Sequence, residues 1–354
     1  MIFLLLTFLI STVINRMLIP VAHHIKLIDH PGQHRTHIQP TPLIGGIAIY
    51  ITLAIVALYA ELNGIQVFSE YSTILLSSSL FLIVVCCIDD HRELKVSTRF
   101  FAQALLVLLL IAITGTRLNN FGHWSNLLIV HSEWLVVCIT IVALIGSMNA
   151  MNMIDGVDGL AGGIGFISLA LLSFVAWHAG LEKDFAFLIA CCGAVCGFLV
   201  YNMRWGKRQQ ASIFLGDAGS IFLGFLIGGY LIRFSQAPVN AMPPTAALWL
   251  FAVPLMDTIC LILHRILQKK SPVKASHDHL HHILKQTGMS TNSVVLSILM
   301  LHLVFGVAGC LGLFYSIPEQ TMLLMFVLSF ALFFAVRQYL FNYSQPSMQG
   351  GYSQ

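Results

Sequence analysis

Long apolar runs dominate the chain, and short polar segments interrupt them at regular intervals. Eleven runs fall near 2–21, 43–60, 71–88, 100–116, 133–150, 160–178, 185–202, 213–232, 246–264, 292–315 and 320–340. Each approaches the roughly 20 residues that carry an α-helix across a bilayer. The runs are continuous in character instead of alternating, which predicts helices and not the strands of a membrane barrel. The expected fold is therefore all-α: a polytopic transmembrane protein of about 11 spans, with residues 1–343 as one membrane domain and 344–354 as a short polar tail. No internal repeat is visible.

Composition agrees with this pattern. Hydrophobic residues make up 57% of the chain and charged residues 9%, against about 25% charged in a soluble domain; mean hydropathy is +0.84. Such a chain is expected to have membrane lipid around it and no nucleic-acid partner. Residues 1–10 lack a basic start and a small-residue cleavage site, so the first run reads as a retained helix. The eight cysteines fall inside predicted spans without metal-type spacing, which predicts neither disulfides nor a zinc site.

Charge sets the expected orientation. Fourteen of the 18 Lys and Arg lie in 22–42, 89–99, 203–217 and 265–291 or at Arg337; only Arg117, Lys183 and Arg233 lie on the other side, and Arg16 is within the first span. The basic excess marks the cytoplasmic face, so the N-terminus is expected outside and the C-terminus in the cytoplasm. The acids separate as well. Asp29, Asp89, Asp90, Asp155, Asp158, Asp217, Asp257 and Asp278 fall at or toward the cytoplasmic face with Glu93, and the remaining acids fall outside. One face thus carries both signs at high density, which suits a site that binds a metal and an anionic substrate together.

Four segments carry candidate chemistry. Asp89 and Asp90 close the third run, where adjacent carboxylates repel and call for a cation, a metal or a raised pKa. Ionisable residues at membrane depth are costly and are functional candidates for that reason. Asn149, Asn152, Asp155 and Asp158 recur every three residues in NAMNMIDGVDGLAGG. A helical continuation would set neighbours on adjoining parts of one face. A break at Gly156 and Gly159 would instead expose N–H groups to phosphate or sugar hydroxyls. A solvated turn is the plain alternative. Asp217, in FLGDAGS, stands a few residues into a span between glycines; it is either a metal ligand or a neutral acid in a helix-packing motif. The last segment, HDHLHH, follows Arg265, Lys269, Lys270 and Lys274. It can be a zinc site, a solvated loop or an anion-binding hand; the absence of thiolates weighs against zinc. Asp257 can serve to orient Arg265 or a histidine. An ion-coupled transporter also uses intramembrane Asp and His, but such sites lie near the midplane between repeats. Here the polar residues gather at one face.

Five segments in order, PTPLIGG (40–46), DDHRELKVSTRF (89–100), NAMNMIDGVDGLAGG (149–163), FLGDAGS (214–220) and HDHLHH (277–282), resemble the polyprenyl-phosphate N-acetylhexosamine-1-phosphate transferases, glycosyltransferase family 4. The likeness spans roughly residues 1–340. It implies a multi-pass protein of the bacterial inner membrane, with a cytoplasm-facing site that moves GlcNAc-1-phosphate from UDP-GlcNAc to undecaprenyl phosphate. The products would be undecaprenyl-diphospho-GlcNAc and UMP, and Mg²⁺, or Mn²⁺ in its place, would be required. That reaction is the first lipid-linked step of O-antigen or enterobacterial common antigen synthesis. By position, the resemblance makes Asp217 the metal-binding aspartate and Asn152 a second ligand. Asp89 and Asp90 become the catalytic acidic pair, acting with Asp217. Asp155 and Asp158 become acids of the nucleotide pocket, and Arg265, His279, His281 and His282 the sugar-diphosphate loop. A homodimer is an open option. Thr36 stands where many relatives carry a basic residue after Arg35. The sequence HLHH replaces the three consecutive histidines of the muramoyl-pentapeptide branch, which argues against a peptide-bearing substrate.

Overall fold

A computed structural model of the chain describes residues 2–30, 40–92, 94–122, 132–206, 208–269 and 278–344. Its elements run α1 (Ile2–Ile25), β1 (Ile28–Asp29), β2 (Thr41–Pro42), α2 (Gly45–Leu62), α3 (Glu70–Arg92), α4 (Val96–Thr114), α5 (Glu133–Ile154), α6 (Leu160–His178) and α7 (Glu182–Asn202). They continue with α8 (Gly216–Ser235), α9 (Pro244–Leu250), α10 (Ala252–Leu267), α11 (Leu280–Gln286), α12 (Thr291–Phe314) and α13 (Glu319–Ser344). Among the described residues ten helices are long and apolar enough to span a membrane, and α9 with α10, bent by 85° at their junction, make up to eleven if the pair is counted as one broken span. The all-α polytopic expectation holds, with two strands of two residues each added to it.

Helix α8 is the hub of the bundle. Its apolar stretch is 94% buried, against 17% for α1 and for α13 at the periphery, and it packs on α5, α3, α2 and α6. Small residues allow this close approach, as is general between membrane helices. A side-chain carbon added at Gly46 would lie 2.2 Å from the Gly219 backbone, so α2 and α8 touch only because both positions are glycine. The Ser147 hydroxyl donates to the Gly224 carbonyl at 2.8 Å, joining α5 to α8 by a polar contact.

Proline breaks the ninth span. Pro254 has no N–H to offer the carbonyl of Leu250 four residues back, and its ring crowds that carbonyl. The chain turns at Phe251, and Leu255 picks up the ladder from the Phe251 carbonyl. The freed Leu250 carbonyl accepts from the Ser168 hydroxyl at 3.3 Å, and Ser168 in turn meets His302 Nε2 at 2.9 Å. This is how membrane helices tolerate a break: a neighbouring helix supplies the missing partner.

The two ends of α8 are pinned differently. At its C-terminal end, buried Asp184 of α7 meets Arg233 at 3.1 Å, Ser72 at 3.3 Å and the Tyr230 hydroxyl at 3.2 Å. Arg233 also lies 4.4 Å from the centre of the Tyr71 ring. At its N-terminal end, β1 and β2 pair antiparallel, and the chain leaving β2 runs beside Phe214. Phe214 donates to the Pro42 carbonyl at 2.8 Å, and Gly45 and Gly46 donate to the carbonyls of Phe214 and Leu215 at 2.9 Å each. The PTPLIGG and FLGDAGS segments are therefore two halves of one backbone clasp.

Candidate active site

That clasp fixes Asp217 in the first turn of α8. Gly216 adopts φ +75°, a left-handed conformation suited to glycine, and the chain enters the helix with the Asp217 carboxylate beside α3, α4 and α5. Asn152, in the last turn of α5, donates from Nδ2 to Asp217 Oδ1 at 2.8 Å and to the Ser220 hydroxyl at 3.0 Å. Its amide oxygen is thereby turned away from these partners. Arg99, in the first turn of α4, bridges two acids: Nη2 reaches Asp217 Oδ2 and Nε reaches Asp89 Oδ2, each at 3.0 Å.

The adjacent acids Asp89 and Asp90 differ in their surroundings. Asp89 is buried and both of its oxygens are taken, Oδ2 by Arg99 and Oδ1 by the Leu94 N–H at 2.8 Å. Asp90 faces the N-terminus of α8, where the N–H groups of Asp217 and Ala218 point at its carboxylate, a favourable place for negative charge. Its Oδ2 is buried without a hydrogen-bond partner.

The second wall is the turn between α5 and α6. Helix α5 stops at Ile154, and Gly159 at φ +84° starts α6. Asp158 Oδ2 accepts from Arg204 Nε at 2.8 Å and from the Ala211 N–H at 2.9 Å. Asn202 clamps the same turn, accepting from the Gly159 N–H at 2.8 Å and donating to the Ile213 carbonyl at 2.9 Å. Burial pushes the Asp155 carboxyl up to about 8, helped by the negative charges of Asp217, Asp158 and Asp90.

The histidine segment lies behind this wall. Asp257 of α10 accepts from His279 Nδ1 at 2.8 Å and from the Leu280 N–H at 3.0 Å, and so caps α11. His281 is 1% exposed and stacks on His279, with ring centres 5.8 Å apart. Neither of its ring nitrogens has a hydrogen-bond partner. A side-chain carbon on Gly156 would sit 2.3 Å from His281 Nε2, so glycine is required there for the ring to reach the turn. Burial, with the neighbouring His282 and His279, lowers the His281 pKa to about 3.

These walls enclose a cavity of about 630 Å³ at the N-terminal end of α8. Of the residues predicted from sequence, Asp89, Asp90, Asn152, Asp155, Asp158, Asp217 and His282 line it. His279, His281 and Arg265 do not: His281 backs the Gly156 turn, His279 stacks on His281, and Arg265 is buried toward the end of α10. Arg35, Thr36, Glu93, Lys207, Lys270, Lys274 and His277 lie outside the described residues. Asp257 does orient a histidine, one of the two options its position left open. Sequence reasoning counted Arg204 and Arg337 only toward the basic bias of one face and gave no role to Asn202 or Ser220. Their signals, a lone arginine after a span or a serine in a small-residue motif, are too common to stand out.

The donor set can be tested against a metal. Among the described residues no three His, Cys, Asp or Glu side chains gather as a metal-holding group. Mg²⁺ does not need one: it is held by one or two carboxylates together with substrate phosphates and water. Asp217, whose two oxygens are held here by Asn152 Nδ2 and Arg99 Nη2, and the amide oxygen of Asn152 are hard donors of the kind Mg²⁺ or Mn²⁺ takes, and an ion there would replace those contacts.

The family model described as glycosyl transferase family 4 matches residues 72–235. A Haemophilus influenzae protein is 30% identical over 314 residues, covering 89% of this chain and 87% of its own length. One from Yersinia pestis is 28% identical over 321 residues, with 88% and 84% covered. One from Escherichia coli K12 is 26% identical over 332 residues, with 92% and 88% covered. All three bear the name undecaprenyl-phosphate alpha-N-acetylglucosaminyl 1-phosphate transferase.

Proposed function

The chain belongs to glycosyl transferase family 4, and from that premise we propose that it transfers GlcNAc-1-phosphate from UDP-GlcNAc to undecaprenyl phosphate. The observation that carries this reading is the convergence of Asp90, Asn152, Asp155, Asp217 and Arg99 on one cavity at the polar-loop end of a membrane bundle. A lipid tail can stay among the helices there while its phosphate reaches the cavity. Under this reading the cavity faces the cytoplasm at the inner membrane, with the N-terminus outside, as the basic-residue bias predicts. The product would be the first lipid-linked intermediate of O-antigen or enterobacterial common antigen synthesis.

An oxygen of the lipid phosphate attacks the sugar-bearing phosphorus of the donor. The bond from that phosphorus to the bridging oxygen breaks, and UMP leaves. Such transfers depend on positioning and charge neutralisation more than on covalent help from the protein, so a single displacement is favoured. Asp217 and Asn152 would hold Mg²⁺ or Mn²⁺. When bound, the ion neutralises charge on the diphosphate and on the departing UMP. Arg99 adds a fixed positive charge beside Asp217. Asp90 is the acid with an oxygen left to orient the attacking phosphate or take its proton, and Asp89 positions Arg99. Asp155, with its raised pKa, can donate a hydrogen bond to the nucleotide near neutral pH.

The test is UMP release by the purified protein given UDP-GlcNAc, undecaprenyl phosphate and Mg²⁺. No UMP from any UDP-N-acetylhexosamine would overturn the reading. Asp217→Asn should insert normally and lose at least about a hundredfold in rate, the scale at which removing one charge-stabilising group costs. Near-normal turnover would remove Asp217 from the metal site.

A further inference from the structure

Among the described residues Arg337 is the largest fully buried side chain, 1% exposed, yet it belongs to α13, one of the least enclosed helices. Burying a guanidinium is costly unless it is paired. Arg337 has two partners, Asp257 in α10 and Asp278 in the histidine segment, and its Nε and Nη1 make no hydrogen bond. Its Nη2 donates to the Asp278 carbonyl, and its Nε lies 3.7 Å from Asp257 Oδ1. The same Asp257 holds His279 Nδ1 at 2.8 Å and the first N–H of α11 at 3.0 Å. His279 stacks on His281, and His281 presses on the Gly156 turn between Asp155 and Asp158. Contacts thus run without a gap from α13, through α10 and the histidine segment, to one wall of the cavity. On the opposite wall Asp217, Asn152 and Arg99 hold one another without contributions from these residues.

We propose that Arg337 is a positioning residue for the nucleotide side of the site: with Asp257 it sets the placement of His279 and α11, and through His281 the Asp155–Asp158 turn. The inference rests on the functional reading above. It does not make Arg337 a substrate contact, because Arg337 does not line the cavity. It assigns Arg337 to one of two substrates. The wall it supports is the one given to the sugar nucleotide, and the lipid phosphate approaches Asp90 on the other.

The experiment is a two-substrate kinetic comparison of the purified full-length wild-type protein with Arg337→Gln and Arg337→Lys, together with direct binding of UMP. Residues that act on a site without touching its ligand shift binding by roughly three- to thirtyfold. Arg337→Gln should raise the KM for UDP-GlcNAc and the Kd for UMP within that range, and leave the KM for undecaprenyl phosphate unchanged. Arg337→Lys keeps the charge beside Asp257 but not the forked reach to the Asp278 carbonyl, so it should restore part of the loss. A merely structural role would instead reduce the amount of active protein and leave both KM values alone. That result, or an equal rise in both KM values, overturns the proposal. Should Arg337→Gln fail to fold, Arg337→Lys decides alone: a donor KM equal to wild type overturns it, and a raised donor KM with normal acceptor KM supports it. A wild-type protein that neither binds UMP nor releases it defeats the functional reading itself, a separate outcome.

Discussion

Asp89 and Asp90 differ by what is left over on each carboxylate. Asp89 has both oxygens engaged by Arg99 and the Leu94 N–H, whereas Asp90 keeps Oδ2 buried and unpartnered. Asp90→Asn should therefore lower kcat by about a hundredfold or more with the protein still folded. Asp89→Asn keeps an acceptor for Leu94 but loses the charge that holds Arg99, and should lower kcat by about tenfold, the usual effect of losing an outer partner. UMP release at saturating substrates measures both, and equal losses would count against the division of roles. His281 gives a pH dependence of its own. Its pKa is lowered from 6.5 to about 3, so it folds in as a neutral ring. A depressed folded pKa means that this stability is complete above about 6.5 and is lost as pH falls toward about 3. The melting temperature of His281→Asn should fall less than that of wild type between pH 6.5 and pH 4, as scanning calorimetry in detergent can establish, and parallel curves would refute it.

At the scale of elements, the bent ninth span hangs on Pro254, Ser168 and His302. Ser168→Ala leaves the Leu250 carbonyl buried without a donor and should cost about 1–3 kcal/mol, readable as a lowered midpoint of thermal or denaturant unfolding. The bend also shows where sequence reading stops. Apolar runs of bilayer length were legible because nothing else demands twenty such residues together, and the run 160–178 coincides with α6. The run 246–264 stays apolar through Phe251, and proline is tolerated in membrane helices, so the break left no pattern. Strands of two residues, such as β1 and β2, have no periodicity to detect. The candidate site was legible as clusters within single segments: two acids together, four histidines in six residues. Its cross-connections were not. Arg99 to Asp217, Arg204 to Asp158 and Arg337 to Asp257 join distant positions through the fold, and no local spacing encodes such a contact.

Across the whole molecule, α8 is fastened at both ends, by the backbone clasp and Asp217 at one and by the Asp184–Arg233 pair at the other. Asp184 is buried and Arg233 partly exposed, so removing the acid costs less than the roughly 3 kcal/mol of breaking a fully buried pair. Asp184→Asn should lower the melting temperature in detergent and leave both substrate KM values unchanged, because the pair sits at the far end of α8 from the cavity. A changed KM would mean that the two ends communicate. The enclosure of α8 has a further consequence for the lipid in which the protein works. A bilayer of the wrong thickness acts on helices that touch it, tilting or kinking them at a small cost per ångström. Helix α8 barely meets lipid, so the Asp217 wall is shielded from that strain. Helix α13, which does meet lipid, carries Arg337. If the proposed roles hold, in vesicles of unusually short or long acyl chains the KM for the proposed donor should drift before kcat does, which would make membrane thickness a control on donor binding.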